Sequence, residues 1–275
     1  MRRPAAIALL FLGLAALAPA ASAAPPPGWN PDVGAARAWA AQRAGDVSFA
    51  VRTERRGWSW RGAATYRSAS VVKAMLMVAY LRRPDVRRRS LRAEERALLA
   101  PMIRYSDNAA ADAISARVGM ARLSALGRRA GMRHFGPYPV WGGSAIAAVD
   151  QARFFLRVDR LVPRRHRRYA MAQLRGITEG QRWGIAHAVP PGWRIAFKGG
   201  WGRGVTREVN HQVALLTNGR LRVSVAVMTA DNPSHGYGTA TQHGVAARLL
   251  RGIARTAKGK LVRVRRGLGW PRRGR

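Results

Sequence analysis

Between Val71 and Leu81 every residue but one is apolar, alanine or tyrosine, and the exception is Lys73. A segment of this length without a wet face predicts a helix buried on all sides. An ammonium in such a place is costly to desolvate. Residues three apart share a helix face, so the spacing sets the Ser70 hydroxyl beside the Lys73 amine. A weak alcohol nucleophile needs this: a proton acceptor within hydrogen-bond reach, its pKa lowered by burial. Taken alone, Ser-x-x-Lys reads equally as a lysine snorkelling out of a core helix.

Lysine is rare here. It occurs only at Lys73, Lys198, Lys258 and Lys260, although the chain carries 49 Lys+Arg, so nearly every generic cation is arginine. That singles out Lys73 and Lys198, because a buried lysine can give up its proton and a guanidinium cannot. The formal net charge of +36 over 275 residues suits polyanionic partners: nucleic acid without sequence preference, an anionic wall polymer or an anionic membrane. An arginine-rich compositional bias accounts for most of the same charge. There is no cysteine, which excludes disulfides, thiolate metal sites and a lipidated cysteine. Arg2-Arg3, the apolar run Ala5 to Leu17 and Ala21-Ser22-Ala23 together read as a cleavable export signal, 1–23, by the general or the twin-arginine route. The apolar run is short for a spanning helix, so the mature chain is expected outside the cytoplasmic membrane, without a transmembrane segment and as a monomer.

In the mature chain, Asn30 is expected to cap a helix with Pro31 in its first position, running to about Ala44 and stopped by Gly45. Val47 to Thr53 and Trp58 to Ala63 alternate like strands around Arg55-Arg56-Gly57. The middle is helical: Leu91 to Leu99, Ala109 to Val118 ended by Gly119, Ala121 to Ala130 ended by Gly131, and Ala145 to Val158. Sheet returns at Trp193 to Lys198, Val209 to Thr217 and Leu221 to Thr229, with Asn218-Gly219 as a hairpin signal. A last helix is expected from Thr239 to Ala257. The fold class is therefore α+β: an antiparallel five-stranded sheet flanked by helices, formed by 24–66 and 185–258, with an inserted helical lobe at 67–184. Residues 259–275 form an arginine-rich tail expected to be disordered. Clefts between lobes are where ligands usually bind, and the Ser70 helix begins at that seam.

Two further short patterns complete a set. Ser106-Asp107-Asn108 stands just ahead of a helix, where a polar N-cap cluster is the plain alternative, and Lys198-Gly199-Gly200 leaves a strand of the late sheet. In this order and setting, over about Asn30 to Ala257, the chain resembles the serine β-lactamases and penicillin-binding proteins, nearest to the class A type. The resemblance implies a β-lactamase/transpeptidase-like fold and a β-lactam or peptidoglycan-peptide-like substrate. It implies Ser70 as the acylated nucleophile, Lys73 as its base or relay, Ser106 as proton donor to the leaving nitrogen, and Asn108 and Lys198 as substrate-binding groups. It also implies an oxyanion hole of the Ser70 and Trp201 N–H groups, with Gly199 and Gly200 leaving open backbone for a peptide-like substrate.

The departures carry as much information. The family's third motif is usually Lys-Thr-Gly or Lys-Ser-Gly, and Gly199 has no hydroxyl. The stretch from Lys73 to Ser106 is short. From Arg117 through Val149 there is no Asp or Glu, although class A enzymes place there the glutamate that activates the deacylating water; Asp150 and Glu179 are the nearest substitutes. Acylation is accordingly expected to outrun deacylation. A non-turnover wall-peptide binder and a polyanion-binding protein with a vestigial site are the rival readings. The six histidines show no metal spacing and Gly199 to Gly204 lacks a phosphate-loop pattern, so neither metal nor cofactor is expected.

Overall fold

The computed structural model describes residues 29–204, 206–219, 221–255 and 261–263. The expected export signal and most of the expected tail lie outside the described residues. Helix α1 (Val33–Ala41) is capped by the Asp32 carboxylate, which accepts from the Ala35 N–H at 3.0 Å. The expected cap at Asn30 is thus corrected by two residues, because a carboxylate satisfies an open N–H and meets the positive end of the helix dipole as well. Gly45, at φ +81, turns the chain into the hairpin β1 (Asp46–Arg52) and β2 (Gly57–Trp60).

Strand β3 (Thr65–Arg67) leads into one turn of 3-10 helix, Ala69–Val71, and then α2 (Val72–Leu81). Every residue of α2 is buried, as its unbroken apolar composition requires. Helices α3 (Ala93–Arg104) and α4 (Asn108–Ala130) follow, the latter bent at Gly119 with φ 72 and ψ 155, where the sequence places a helix stop. Helix α3 runs on through Pro101, past the expected end at Leu99. Its start is held by Glu95, which accepts from the Arg92 N–H, the Arg89 guanidinium and the Tyr80 hydroxyl; the Arg89 bond leads in holding its carboxyl at about 2.

The expected single helix from Ala145 to Val158 is two structures. Strand β4 (Ala145–Ala147) pairs antiparallel with β3, Tyr66 opposite Ile146, and α5 (Ala148–Leu156) begins only afterwards. Local preference at Ala-Ile-Ala is weak, and a partner strand decides it. The short α6 (Val158–Leu161) and α7 (Arg167–Arg175) complete the helical part.

Strands β5 (Arg194–Arg203), β6 (Glu208–Asn218) and β7 (Leu221–Asn232) join the first hairpin in one antiparallel sheet of order β2-β1-β7-β6-β5. Asn210 and Gln212 on β6 meet α8 (His235–Leu249) and the loop beside it, while His211 and Leu215, at alternate positions, face the helical lobe. Helix α8 starts four residues before the expected Thr239, capped by the Ser234 hydroxyl. Gly238 and Gly244 look like helix breakers in sequence, yet a Cβ there would stand 2.3 Å from Asn210 Oδ1 and 2.2 Å from Trp39 Nε1, so the glycines let α8 lie close on β6 and α1. It ends at Leu249 rather than at Ala257, and Gly252 at φ +77 turns the chain into β8 (Ile253–Arg255). That strand pairs with β9 (Leu261–Arg263), so these three residues of the expected tail are in a hairpin. No helix among the described residues is long and apolar enough to cross a membrane.

His211 ties the sheet to the segment that carries Ser70. Its Nδ1 accepts from the Thr229 N–H at 3.3 Å, which leaves Nε2 to donate to the Arg67 carbonyl at 2.9 Å. Burial pushes its pKa down from 6.5 to about 4. The folded state therefore refuses a proton that the unfolded chain accepts, and the stability present above the unfolded value is lost as pH falls through the folded one. Urea unfolding is expected to show about 3 kcal/mol less stability at pH 4 than at pH 7 from this group, and His211→Gln should flatten that part of the pH dependence. An identical pH slope in the variant refutes the assignment.

Candidate active site

Two residues other than glycine are held in left-handed backbone at the seam between sheet and helical lobe: Ala69 at φ 43 and Ser106 at φ 60. Such conformations cost ~1–3 kcal/mol each and persist only where the surroundings impose them. Ala69 sets Ser70 at the entrance of α2. Ser106 sits in the joint between α3 and α4, where the Tyr105 and Asp107 N–H groups both converge on the Pro101 carbonyl. Asp107 is the N-cap of α4, accepting from the Ala110 N–H at 2.7 Å. The capping reading of Ser-Asp-Asn thus holds for its middle residue, and the two flanking side chains turn to Lys73.

Lys73 is fully buried. Its Nζ donates to the Ser106 carbonyl at 2.5 Å, to Asn108 Oδ1 at 2.7 Å and to Ser106 Oγ at 3.3 Å, and lies 4.6 Å from the centre of the Trp141 ring. Ser70 is not among these partners: the two residues share the start of α2 as the spacing predicts, but three acceptors on the α3–α4 side capture the amine. Lys198, also fully buried, donates to the Gly199 carbonyl at 2.9 Å and approaches Ser106 Oγ at 3.1 Å. One hydroxyl therefore bridges two interior amines.

Two ammonium groups on one hydroxyl repel each other, and burial penalises both. Desolvation, opposed by the fields of Asp107 and Asp112, lowers Lys73 to about 8. Desolvation and then the Lys73 charge push Lys198 well below the ordinary lysine value. Of the two, Lys73 has the acceptors and the aromatic face that favour its charged form.

The cleft in front of these groups has a volume of about 290 Å³; Ser70, Ser106, Asn108, Trp141 and Trp201 line it, with Arg67 and Arg203 at its edge. Gly200 explains how β5 comes so near Ser70. A Cβ there would stand 2.8 Å from Val71 N and 2.9 Å from both Ser68 O and Ser70 N, so backbone lies directly against backbone. Gly199 is explained by its own neighbour: a Cβ would fall 3.0 Å from Cη2 of Trp183. Gln212, which pairs with Gly199 across the sheet, accepts from the Ile185 N–H at 2.5 Å and so anchors the loop that sets Trp183 there. Trp183, Trp201 and His235 form a three-ring group with centroids 5.3 to 6.2 Å apart.

Neither substitute carboxylate lines the cleft. Asp150 is buried in the first turn of α5 and accepts from the His134 N–H at 2.6 Å, and Glu179 has a side chain 90 % exposed beside Arg182. The loop after α4 contributes Val140, Trp141, Gly142 and Gly143 instead, with Trp141 Nε1 donating to Asp112 at 2.6 Å. Trp141, Trp183, Arg67 and Arg203 were not legible as site residues in the sequence.

Comparison with known proteins agrees with this architecture. Residues 88–258 match the model of the beta-lactamase enzyme family, a span that includes Ser106 and Lys198 and begins after Ser70 and Lys73. The chain belongs to that family. A beta-lactamase from Sphaerobacter thermophilus shares the fold with a TM-score of 0.66 at 22% identity, over 80% of this chain and 95% of that one. A class A beta-lactamase from Mycobacterium abscessus gives 0.66 at 18%, over 80% and 98%, and a beta lactamase from Xanthomonas campestris gives 0.68 at 15%, over 79% and 95%. No curated protein matches the sequence significantly.

Gly200→Ala is expected to lower stability by about 1–3 kcal/mol, since the atoms met are backbone and cannot swing aside. Thermal unfolding measures the loss. A variant as stable as the parent means that β5 does not press on the Ser70 turn.

Proposed function

We propose that the chain is an exported serine hydrolase of the β-lactamase kind, acylated at Ser70 by a β-lactam or a D-Ala-D-Ala-like amide and slow to deacylate. The observation that carries this reading is the Ser106 hydroxyl shared by two buried amines, at 3.3 Å from Lys73 and 3.1 Å from Lys198, in the cleft that Ser70 lines. Once Lys73 loses a proton its lone pair can take the Ser70 proton as the oxygen attacks the carbonyl. Negative charge then grows on the carbonyl oxygen, where the Ser70 and Trp201 N–H groups are the donors this reading assigns. The C–N bond breaks as Ser106 gives its proton to nitrogen, and an adjacent lysine replenishes Ser106. Asn108 and the open backbone at Gly199 and Gly200 hold the substrate along β5. With Gly199 lacking a hydroxyl, the substrate carboxylate falls to Lys198, whose proton affinity an incoming anion raises, and to Arg67 and Arg203.

Hydrolysis of the ester needs a base for water, worth ~10²–10⁴-fold. No carboxylate among the described residues lines the cleft, and the loop after α4 supplies Trp141 in its place. Stopped-flow hydrolysis of a chromogenic cephalosporin should show a burst of about one equivalent followed by slow turnover, with the adduct visible by intact mass. Fast turnover without adduct defeats the slow-deacylation reading.

Ser70→Ala should abolish labelling by a penicillin probe; labelling retained at another serine refutes the nucleophile. The labelling rate of the parent should rise with pH and level off above a midpoint near the Lys73 value of about 8, because only the neutral amine accepts the proton. A rate that falls across that range removes Lys73 as the base.

A further inference from the structure

A second cleft, of about 400 Å³, lies away from Ser70 between α7 and the ends of β6 and β7. Arg164, Arg167, Arg168 and Arg175 line it. The spacing 164, 167/168, 171, 175 places the four on one face of α7 and the 3-10 turn before it. All four are exposed and none has a carboxylate partner among the described residues; Arg167 spends only its Nε, on the Asp159 carbonyl. The acids nearby are already engaged. Asp159 takes Arg222 through both oxygens at 2.6 and 3.1 Å, and Glu54 is shared by Arg160 and Arg222. Met171 and Leu215 supply the apolar part of the lining, and no aromatic ring among the described residues lines the cleft.

We propose that this groove binds a linear polyol phosphate, a chain of phosphodiesters separated by small uncharged alcohols. The eleven steps from Arg164 to Arg175 span about 16 Å at a helical rise, longer than one phosphate and suited to successive ones met by planar guanidinium forks. Single-stranded nucleic acid is disfavoured, because sites for it pair the basic track with aromatic platforms for the bases. The aliphatic lining suits a short alcohol spacer. The general charge of the chain attracts polyanions to every face, but the groove is where four unpaired guanidinium groups stand in a row beside a cavity. Nothing in the acyl-transfer chemistry at Ser70 requires it, so the two readings stand or fall separately.

The test uses the full chain and a fluorescent poly(glycerol phosphate) of defined length, with affinity measured by anisotropy at several salt concentrations. Replacing Arg164, Arg167, Arg168 and Arg175 by Ser should weaken binding at least tenfold and flatten the salt dependence. A matched control, Arg87, Arg88, Arg128 and Arg129 all to Ser, removes the same charge from exposed positions elsewhere and should change affinity less than twofold. Arg164→Gln/Arg168→Gln, a milder change, should lose at least threefold while circular dichroism stays that of the parent, and it decides the matter if the fourfold variant does not fold. Equal losses in the groove and control variants, or no loss in either groove variant, overturn the proposal. A single-stranded oligonucleotide of equal charge that binds as tightly through the same arginines overturns the choice of ligand.

Discussion

Two amines buried against a single hydroxyl are the constraint around which this molecule is built. Desolvating an ammonium costs several kcal/mol even after relaxation, and the interior tolerates Lys73 only because Ser106 and Asn108 present three acceptors and Trp141 a ring face. Those acceptors exist because the joint between α3 and α4 is forced into shape. Ser106 accepts a left-handed backbone, Asp107 caps the following helix, and the Pro101 carbonyl collects two N–H groups. Lys198 then reaches the same hydroxyl from the sheet side with no carboxylate partner among the described residues, and burial pushes its proton affinity down.

Close approach of backbone does the rest. Gly200 lets β5 press on the turn that carries Ser70, and His211 pins the Arg67 carbonyl two residues before that turn begins. Ser70 is therefore located through main chain on both sides, independently of its own side chain. Trp183 takes the space beside Gly199, held there by Gln212 from the neighbouring strand. The missing hydroxyl of the third motif is thus part of a repacked wall, and restoring a side chain at Gly199 would first have to move an indole.

Charge is distributed with the same economy. With 13 acidic residues against 49 basic ones, several of the acids are committed to structure: Asp32 and Asp107 to helix caps, Glu95 to the start of α3, Asp150 to the His134 backbone, Asp159 to Arg222. The carboxylates that reach Lys73, Asp107 and Asp112, act on it through their fields. The cleft is consequently lined by the positive Arg67 and Arg203 and, among the described residues, by no acid.

Much of this was written in local pattern. The uniform apolar run fixes α2 as a buried helix, the strand patterns mark all five strands of the main sheet and give β1 and β6 to within a residue of their ends, and Ser70, Lys73, Ser106, Asn108 and Lys198 stand out because spacing and lysine rarity are properties of the chain itself. Tertiary structure decided what depends on partners distant in sequence. Ala145–Ala147 became a strand because β3 lies beside it, α8 began early because Ser234 caps it and Gly238 fits against Asn210, and Lys73 turned from Ser70 because the nearest acceptors came from the α3–α4 joint. Trp141, Trp183 and the arginines of the cleft were silent in sequence for the same reason: an indole or a guanidinium has no period or motif, and acquires a role only from the group that folding sets against it.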